Sequence, residues 1–281
     1  MYFKYDLRIG FRKNIMCLFI VAAIVFTAGI AFKFQISNEK SAGLKLPRDL
    51  NSMDYFLHTF EGMRSLDEVS DNKFRLPITW FLINMILFYF TGKYPYSEIY
   101  NNHGANVLLK GGSRSKWFIS KWIWSVLCVI LYYLAAYTSL MIFCLVGKIP
   151  ISFDIRPLEY QNLLSPVSEC TQIDTLKVIY LPIISSITAV SVQFVISLIT
   201  SPFIGYMFMA VLYISSAYYF TPLLIGNFSM LARSSMFRVD GINIMQVTIR
   251  SIVVIFLSLI AGIWIFRRQD IMKGSRKCIF D

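Results

Sequence analysis

Val107–Trp124 reads VLLKGGSRSKWFISKWIW. Lys110, Arg114, Lys116 and Lys121 crowd together just before an apolar run that begins at Trp122. Cations at the foot of an apolar segment mark a helix entering a bilayer from the side that retains Lys and Arg. The rest of the chain agrees. Of its 281 residues 56% are hydrophobic and only 15% are charged, with a mean hydropathy of +0.59, whereas a soluble domain is roughly a quarter charged. Too little polar surface remains to cover a globule in water. The fold class expected is an all-α polytopic membrane protein.

A crossing helix needs about 20 mostly apolar residues. Six runs qualify: Asn14–Ala31, Leu76–Thr91, Trp122–Val146, Val178–Thr200, Ile204–Ile225 and Val247–Phe266. The sequence Ser201-Pro202-Phe203 separates the fourth from the fifth, because proline disfavours helix in the residue before it. The first run is too long for a signal-peptide core and no clear cleavage site follows, so it is read as a retained span. The spans together make a transmembrane domain over 14–266, ahead of a cytoplasmic tail over 267–281.

Orientation follows from charge. With the N-terminus inside, the N-tail holds four cations (Lys4, Arg8, Arg12, Lys13) and the loop after span two holds five (Lys93, Lys110, Arg114, Lys116, Lys121). The C-tail holds five more (Arg267, Arg268, Lys273, Arg276, Lys277), and Asp6, Glu98, Asp270 and Asp281 oppose them, so the inside nets +10 of the chain's +11. Six spans with both termini cytoplasmic in the cell membrane is the consistent solution. It accounts for the basic balance without nucleic acid.

The N-tail, residues 1–13, places Phe3, Leu7 and Phe11 on one stripe beside Lys4, Arg8 and Arg12. This predicts an amphipathic helix lying among lipid headgroups. In the first outer loop, Asn51 or Ser52 is placed to cap a short helix with Asp54 in its first turn. Tyr55, Phe56, Phe60 and Met63 form its apolar face, and it is expected on the outer membrane surface, shaping a substrate exit or capping the bundle. Between Gly226 and Gln246, apolar residues mix with Arg233 and Arg238. Either a re-entrant segment shielded by protein or a surface loop at headgroup level fits.

Several chemistries are not supported. The span interiors carry no clear ionisable residue, unlike ion-coupled carriers. GGSRSK lacks phosphate-loop spacing, and neither H-E-x-x-H nor G-x-S-x-G occurs. His58 and His103 are the only histidines and lie far apart, and the five cysteines show no metal or redox spacing. No catalytic, metal or cofactor site is expected in this chain. The spans do carry neutral polar side chains, among them Ser185, Thr188, Gln193, Tyr213 and Ser216. These serve as helix–helix glue or line a conduit for an amphipathic cargo.

The loop that opens this section resembles that of ABC-2 type ATP-binding-cassette permeases, the membrane subunits of a transporter family. The residues that carry the likeness are Glu98, Gly104, Leu108 with Leu109, Arg114 and Lys121, together with the exit WIFRRQDIMK (Trp264–Lys273). Where many relatives place a small-proline or threonine turn, this chain has Gly111-Gly112. The resemblance implies six spans, an interfacial N-terminal helix and a cytoplasmic coupling helix. Val107, Leu108 and Leu109 would then be the apolar contact for a separate ATPase. ATP and magnesium would bind that partner, with no cofactor in this chain. It further implies a second permease chain, identical or related, and contact with membrane lipid. The activity implied is export of a peptide, drug-like or lipid-like substrate, or antimicrobial-peptide immunity. A non-transporting membrane anchor or assembly protein and a neutral pore are the alternatives.

Overall fold

The computed structural model describes residues 2–43, 49–63, 76–100, 113–155, 164–167 and 171–268. Among the described residues the chain is helical, with one isolated bridge between Ser234 and Ile242. The helices are α1 (Tyr2–Ser41), α2 (Ser52–Phe60), α3 (Ile78–Tyr100), α4 (Arg114–Val146), α5 (Gln172–Ile199), α6 (Pro202–Tyr218), the short α7 (Ile225–Phe228) and α8 (Ile244–Arg268). A 3-10 turn, Leu231–Arg233, follows α7.

Four stretches are long and apolar enough to cross a membrane: Asn14–Ser41 within α1, then α4, α5 and α8. Ile78–Lys93 of α3 and α6 are shorter apolar helices. Large apolar side chains such as Phe19, Leu134, Val211, Ile252 and Phe256 are exposed on the flanks. A water-facing surface does not carry so many, and hydrocarbon accommodates them. The protein is membrane-embedded.

Element ends differ from the expected ones in instructive ways. The proposed boundary between an interfacial helix and the first span at Lys13–Asn14 is not a break: α1 is continuous and runs ten residues past Ala31. Nothing interrupts it, because its two glycines are used for close approach to α4. A Cβ on Gly10 would lie 2.6 Å from Trp124, and one on Gly29 would lie 2.9 Å from Phe143. The break at Ser201-Pro202 is present: Ser201 Oγ accepts from Ile204 N at 3.3 Å and Pro202 begins α6, where its missing N–H costs nothing. That helix stops at Tyr218, short of the expected Ile225.

Contacts between the long helices give their directions. α1 runs parallel to α4, since Asn14 Nδ2 donates to Cys128 Sγ at 3.4 Å and, further along both, Ser139 Oγ donates to Ala22 O at 2.6 Å. α3 runs antiparallel to α4, with Tyr132 OH donating to Ile83 O at 2.7 Å and Thr91 facing the Trp124 level. α5 is antiparallel to α4: Tyr137 OH donates to Ile179 O at 2.8 Å and Phe118 stacks on Phe194 at 5.1 Å. α6 turns back on α5 and stacks Tyr213 on Trp80 of α3 at 5.2 Å. α8 returns beside α5 and α4, from Thr248 at Tyr180 to Phe266 at Trp117. Successive long helices therefore alternate in direction. The N-terminal end of α1 and the C-terminal end of α8 lie at the same end of the bundle as the end of α3 and the start of α4.

The opposite end is closed by α2 and two loops. The expected cap is there: Asn51 Oδ1 accepts from Asp54 N at 3.0 Å while Asp54 Oδ2 accepts from Asn51 N at 2.8 Å. Such reciprocal caps contribute about 1 kcal/mol. The expected position, on the membrane surface, differs. Every residue of α2 except His58 is buried, wedged between α1, α3 and α4. Phe56 and Phe60 pack against Tyr137 at 5.2 and 5.6 Å, and Tyr55 meets Phe32 edge-on at 5.0 Å. The aromatic face predicted for this helix is what draws it inward. The loop after α4 staples its start, with Ser52 Oγ donating to Ser152 O at 2.9 Å. Gly62, at φ +74°, turns the chain so that Glu61 O accepts from Ala232 N at 3.0 Å.

Candidate functional site

The residues singled out for ATPase coupling begin on the last turns of α3. Glu98 is on that helix, its side chain outside the described residues, and Gly104, Val107, Leu108 and Leu109 lie outside them entirely. Arg114 and Lys121 are described, on the first two turns of α4. A cation in a helix's first turn opposes the helix dipole, and the first turn of α4 holds no acid. The structure compensates by bringing up the C-terminal end of α8: Arg114 Nη1 donates to Arg267 O at 3.2 Å. The positive end of one helix thus meets the negative end of another, bridged by a guanidinium.

Beneath these cations lies an aromatic floor. Trp117 stacks on Phe266 at 4.9 Å, and Phe118 lies against both Phe194 and Phe266. Lys121 is only 2% exposed, with its Nζ 5.4 Å from the centre of the Trp117 ring. Arg268 lies 4.0 Å from the ring of Trp264. Desolvated cation–π contacts contribute up to about 2 kcal/mol. Arg114 and Lys121 at the foot of α4 are therefore structural parts of the bundle. The Trp117-Phe118 pair was in plain view in the sequence. What it lacked was its partners, which come from α5 and α8.

The five residues weighed as conduit lining all lie inside the bundle, each at most 1% exposed. Ser185 Oγ donates to Pro182 O at 3.0 Å, Thr188 Oγ1 to Ile184 O at 2.8 Å and Ser216 Oγ to Leu212 O at 2.7 Å. Gln193 Nε2 crosses to Phe88 O of α3 at 2.9 Å, and Tyr213 packs its ring on Trp80 and Phe88. Nearby, Tyr133 OH and Ser186 Oγ share a hydrogen bond at 2.8 Å, and Ser186 reaches Asn84 Oδ1 at 3.4 Å. Within the single chain these groups form a closed polar seam between α3, α4, α5 and α6. In lipid, each interhelical hydrogen bond of this kind contributes about 0.6 kcal/mol.

No family model matches the chain. No curated protein and no solved structure matches it either.

At the capped end, one residue that sequence reasoning left in a loop holds the architecture together. Arg233 is fully buried. Its Nε donates to Met63 O at 2.9 Å, Nη2 to Ala217 O at 2.8 Å, and Nη1 to Ser216 O, Tyr219 O and Asn227 Oδ1. Three of these carbonyls belong to the last turn and the C-cap of α6, where the negative end of the helix dipole compensates a buried cation. Arg238 covers Phe220 at 4.6 Å, and Arg250 Nη1 donates to Pro222 O at 3.0 Å. Residues 225–234 of the segment between α6 and α8 are thus shielded by protein, as the re-entrant alternative required, while Leu223 and Val239 on either side are exposed.

His58, the one partly exposed residue of α2, stacks on Phe32 at 4.0 Å. Burial lowers its pKa from 6.5 to about 4. Glu61 Oε2, 4.0 Å from Nδ1, is at the edge of ion-pair range and does not reverse the direction. An unfolded α2 takes up this proton below pH 6.5, and the folded one resists it until about pH 4. The stabilisation is therefore complete above pH 6.5 and declines as pH falls toward 4. Hydrogen–deuterium exchange of the α2 amides, corrected for intrinsic rate, is expected to accelerate between pH 7.5 and 5. His58→Phe, which keeps the stack and removes the titration, should abolish that acceleration.

Proposed function

We propose that this chain is the membrane-spanning permease subunit of an ATP-binding-cassette transporter of the ABC-2 type. It crosses the membrane six times, with both termini and the loop between α3 and α4 on the ATPase side. The observation that carries the reading is the alternation of six apolar helices, which gathers the start of α1, the end of α3, the start of α4 and the end of α8 at one end of the bundle. This end also bears Arg114, Lys116, Lys121, Arg267 and Arg268, as a side that retains cations should. The ATPase is a separate subunit that binds ATP and magnesium and docks on Val107, Leu108 and Leu109, flanked by Glu98 and Gly104. Force on that loop enters the bundle through the foot of α4, which Arg114 and Trp117 tie to α8. A second permease chain completes the route for a peptide, drug-like or lipid-like cargo, since the polar seam of one chain is closed.

The test is co-purification with candidate ATP-binding-cassette ATPases from the same cell. Replacing Leu108 and Leu109 together with Asp is expected to reduce ATPase recruitment by at least about tenfold, the effect of losing 1.4 kcal/mol, with the permease still folded. Undiminished recruitment and undiminished stimulation of ATP hydrolysis would remove the coupling assignment. Vesicles reconstituted with both subunits that move no peptide or lipid on ATP addition would favour a membrane anchor instead.

A further inference from the structure

α1 and α4 lie side by side, yet on one flank they do not close. A groove of about 650 Å³ runs between them from Phe11 to Ile142. A second, of about 520 Å³, continues it from Phe26 past Phe143 and Gly147, with Lys33 on its wall. Phe26 is the wall they share. The smallest side chains on its floor are those of Ala22, Ala23, Ala135 and Ser139. The hydroxyls of Thr27, Thr138 and Ser139 donate to the carbonyls of Ile24, Ala135 and Ala22, so the lining has spent its hydroxyl donors within the chain.

The charge at the mouth identifies the occupant. The apolar run of α1 ends at Phe32 and Lys33 is the next residue, exposed and without an ion pair among the described residues. Lys148, directly after the lining Gly147, is a second exposed cation in the same condition. One leaflet of hydrocarbon is about 15 Å deep, which is about ten residues of helix at 1.5 Å each. Counted from Lys33, that depth reaches Ala23, one of the small residues of the groove floor. We infer that the α1–α4 groove holds one phospholipid, its phosphate at Lys33 and an acyl chain along the groove toward Ala23. Because lipid tails are as apolar as the groove, contact and headgroup charge select this molecule, not transfer from water. The inference rests on the chain being membrane-embedded and is independent of the transporter reading.

The test uses the full chain in nanodiscs carrying phosphatidylglycerol with a photoactivatable diazirine in its acyl chain, with adducts mapped by mass spectrometry. Labelling is expected to concentrate on residues 22–30 and 135–142, above the equally exposed α8 face at Ile252, Val253 and Phe256. Lys33→Gln, a surface change, should lower that preference about fivefold, the usual effect of one cation near a charged headgroup. Ala23→Leu should reduce it by filling the floor. Uniform labelling of both faces, or equal competition by a diacylglycerol that lacks phosphate, would overturn the inference. So would efficient disulfide cross-linking of two Ala23→Cys chains, which would put a second copy in the groove.

Discussion

Arg233→Met is expected to destabilise the protein by about 3–5 kcal/mol, the usual consequence of breaking a buried charge network. The variant leaves the carbonyls of Met63, Ser216 and Ala217 without their donor in a site that water does not reach. Each orphaned buried acceptor costs about 1–3 kcal/mol. Arg233→Lys is expected to recover little, because a single ammonium cannot span acceptors that a planar guanidinium reaches on several sides. Thermal unfolding in detergent, followed by the accessibility of a reporter at the capped end, measures both variants. Arg250→Gln, at an exposed arginine with one carbonyl contact, serves as the reference and should stay within about 0.5 kcal/mol. Equal stability of Arg233→Met and the parent would mean that this arginine does not fasten the cap.

At the other end, Trp117→Ala removes the ring that stacks on Phe266 and lies under Lys121. Truncating a buried tryptophan costs about 3–5 kcal/mol, and here the loss is local: the foot of α4 separates from the last turn of α8. Trypsin cleavage after Arg267 and Arg268 should accelerate markedly, while cleavage at the capped end stays as in the parent. Trp117→Phe retains a stacking partner and should restore most of the protection. Unchanged cleavage in the alanine variant would show that the Arg114 bond to Arg267 O suffices alone.

Local signals with a chemical mechanism were readable in advance. The Asn51–Asp54 cap and the Ser201-Pro202 break both rest on groups within four residues of each other, and both stand in the structure. Partnership was harder to read. Inside a bilayer, a residue facing lipid and one facing a neighbouring helix are equally apolar, so periodicity along α1 cannot reveal that Val21 and Val25 are buried while Phe19 and Ile30 are exposed. The same limit hid the groove, whose position depends on α4. The two readings of Arg233 stayed open for another reason. A cation in a loop is ordinarily solvated, and only the folded cap brings α6 carbonyls and Met63 O around it. Gly104, Val107, Leu108 and Leu109 lie outside the described residues.

The parallel pairing of α1 with α4 also bears on how the chain is made. The principal neighbour of α1 is not the next helix to leave the ribosome. α2, α3 and the basic loop are all synthesised before α4, so α1 enters the membrane ahead of that partner and waits there with its glycine notches empty. A lone apolar helix tolerates such a wait in lipid. α2 does not, since its buried aromatic face needs both α1 and α4 for cover. The cap is therefore a late event of biogenesis. A chain interrupted before α4 would present an uncovered aromatic wedge to whatever surveys nascent membrane proteins.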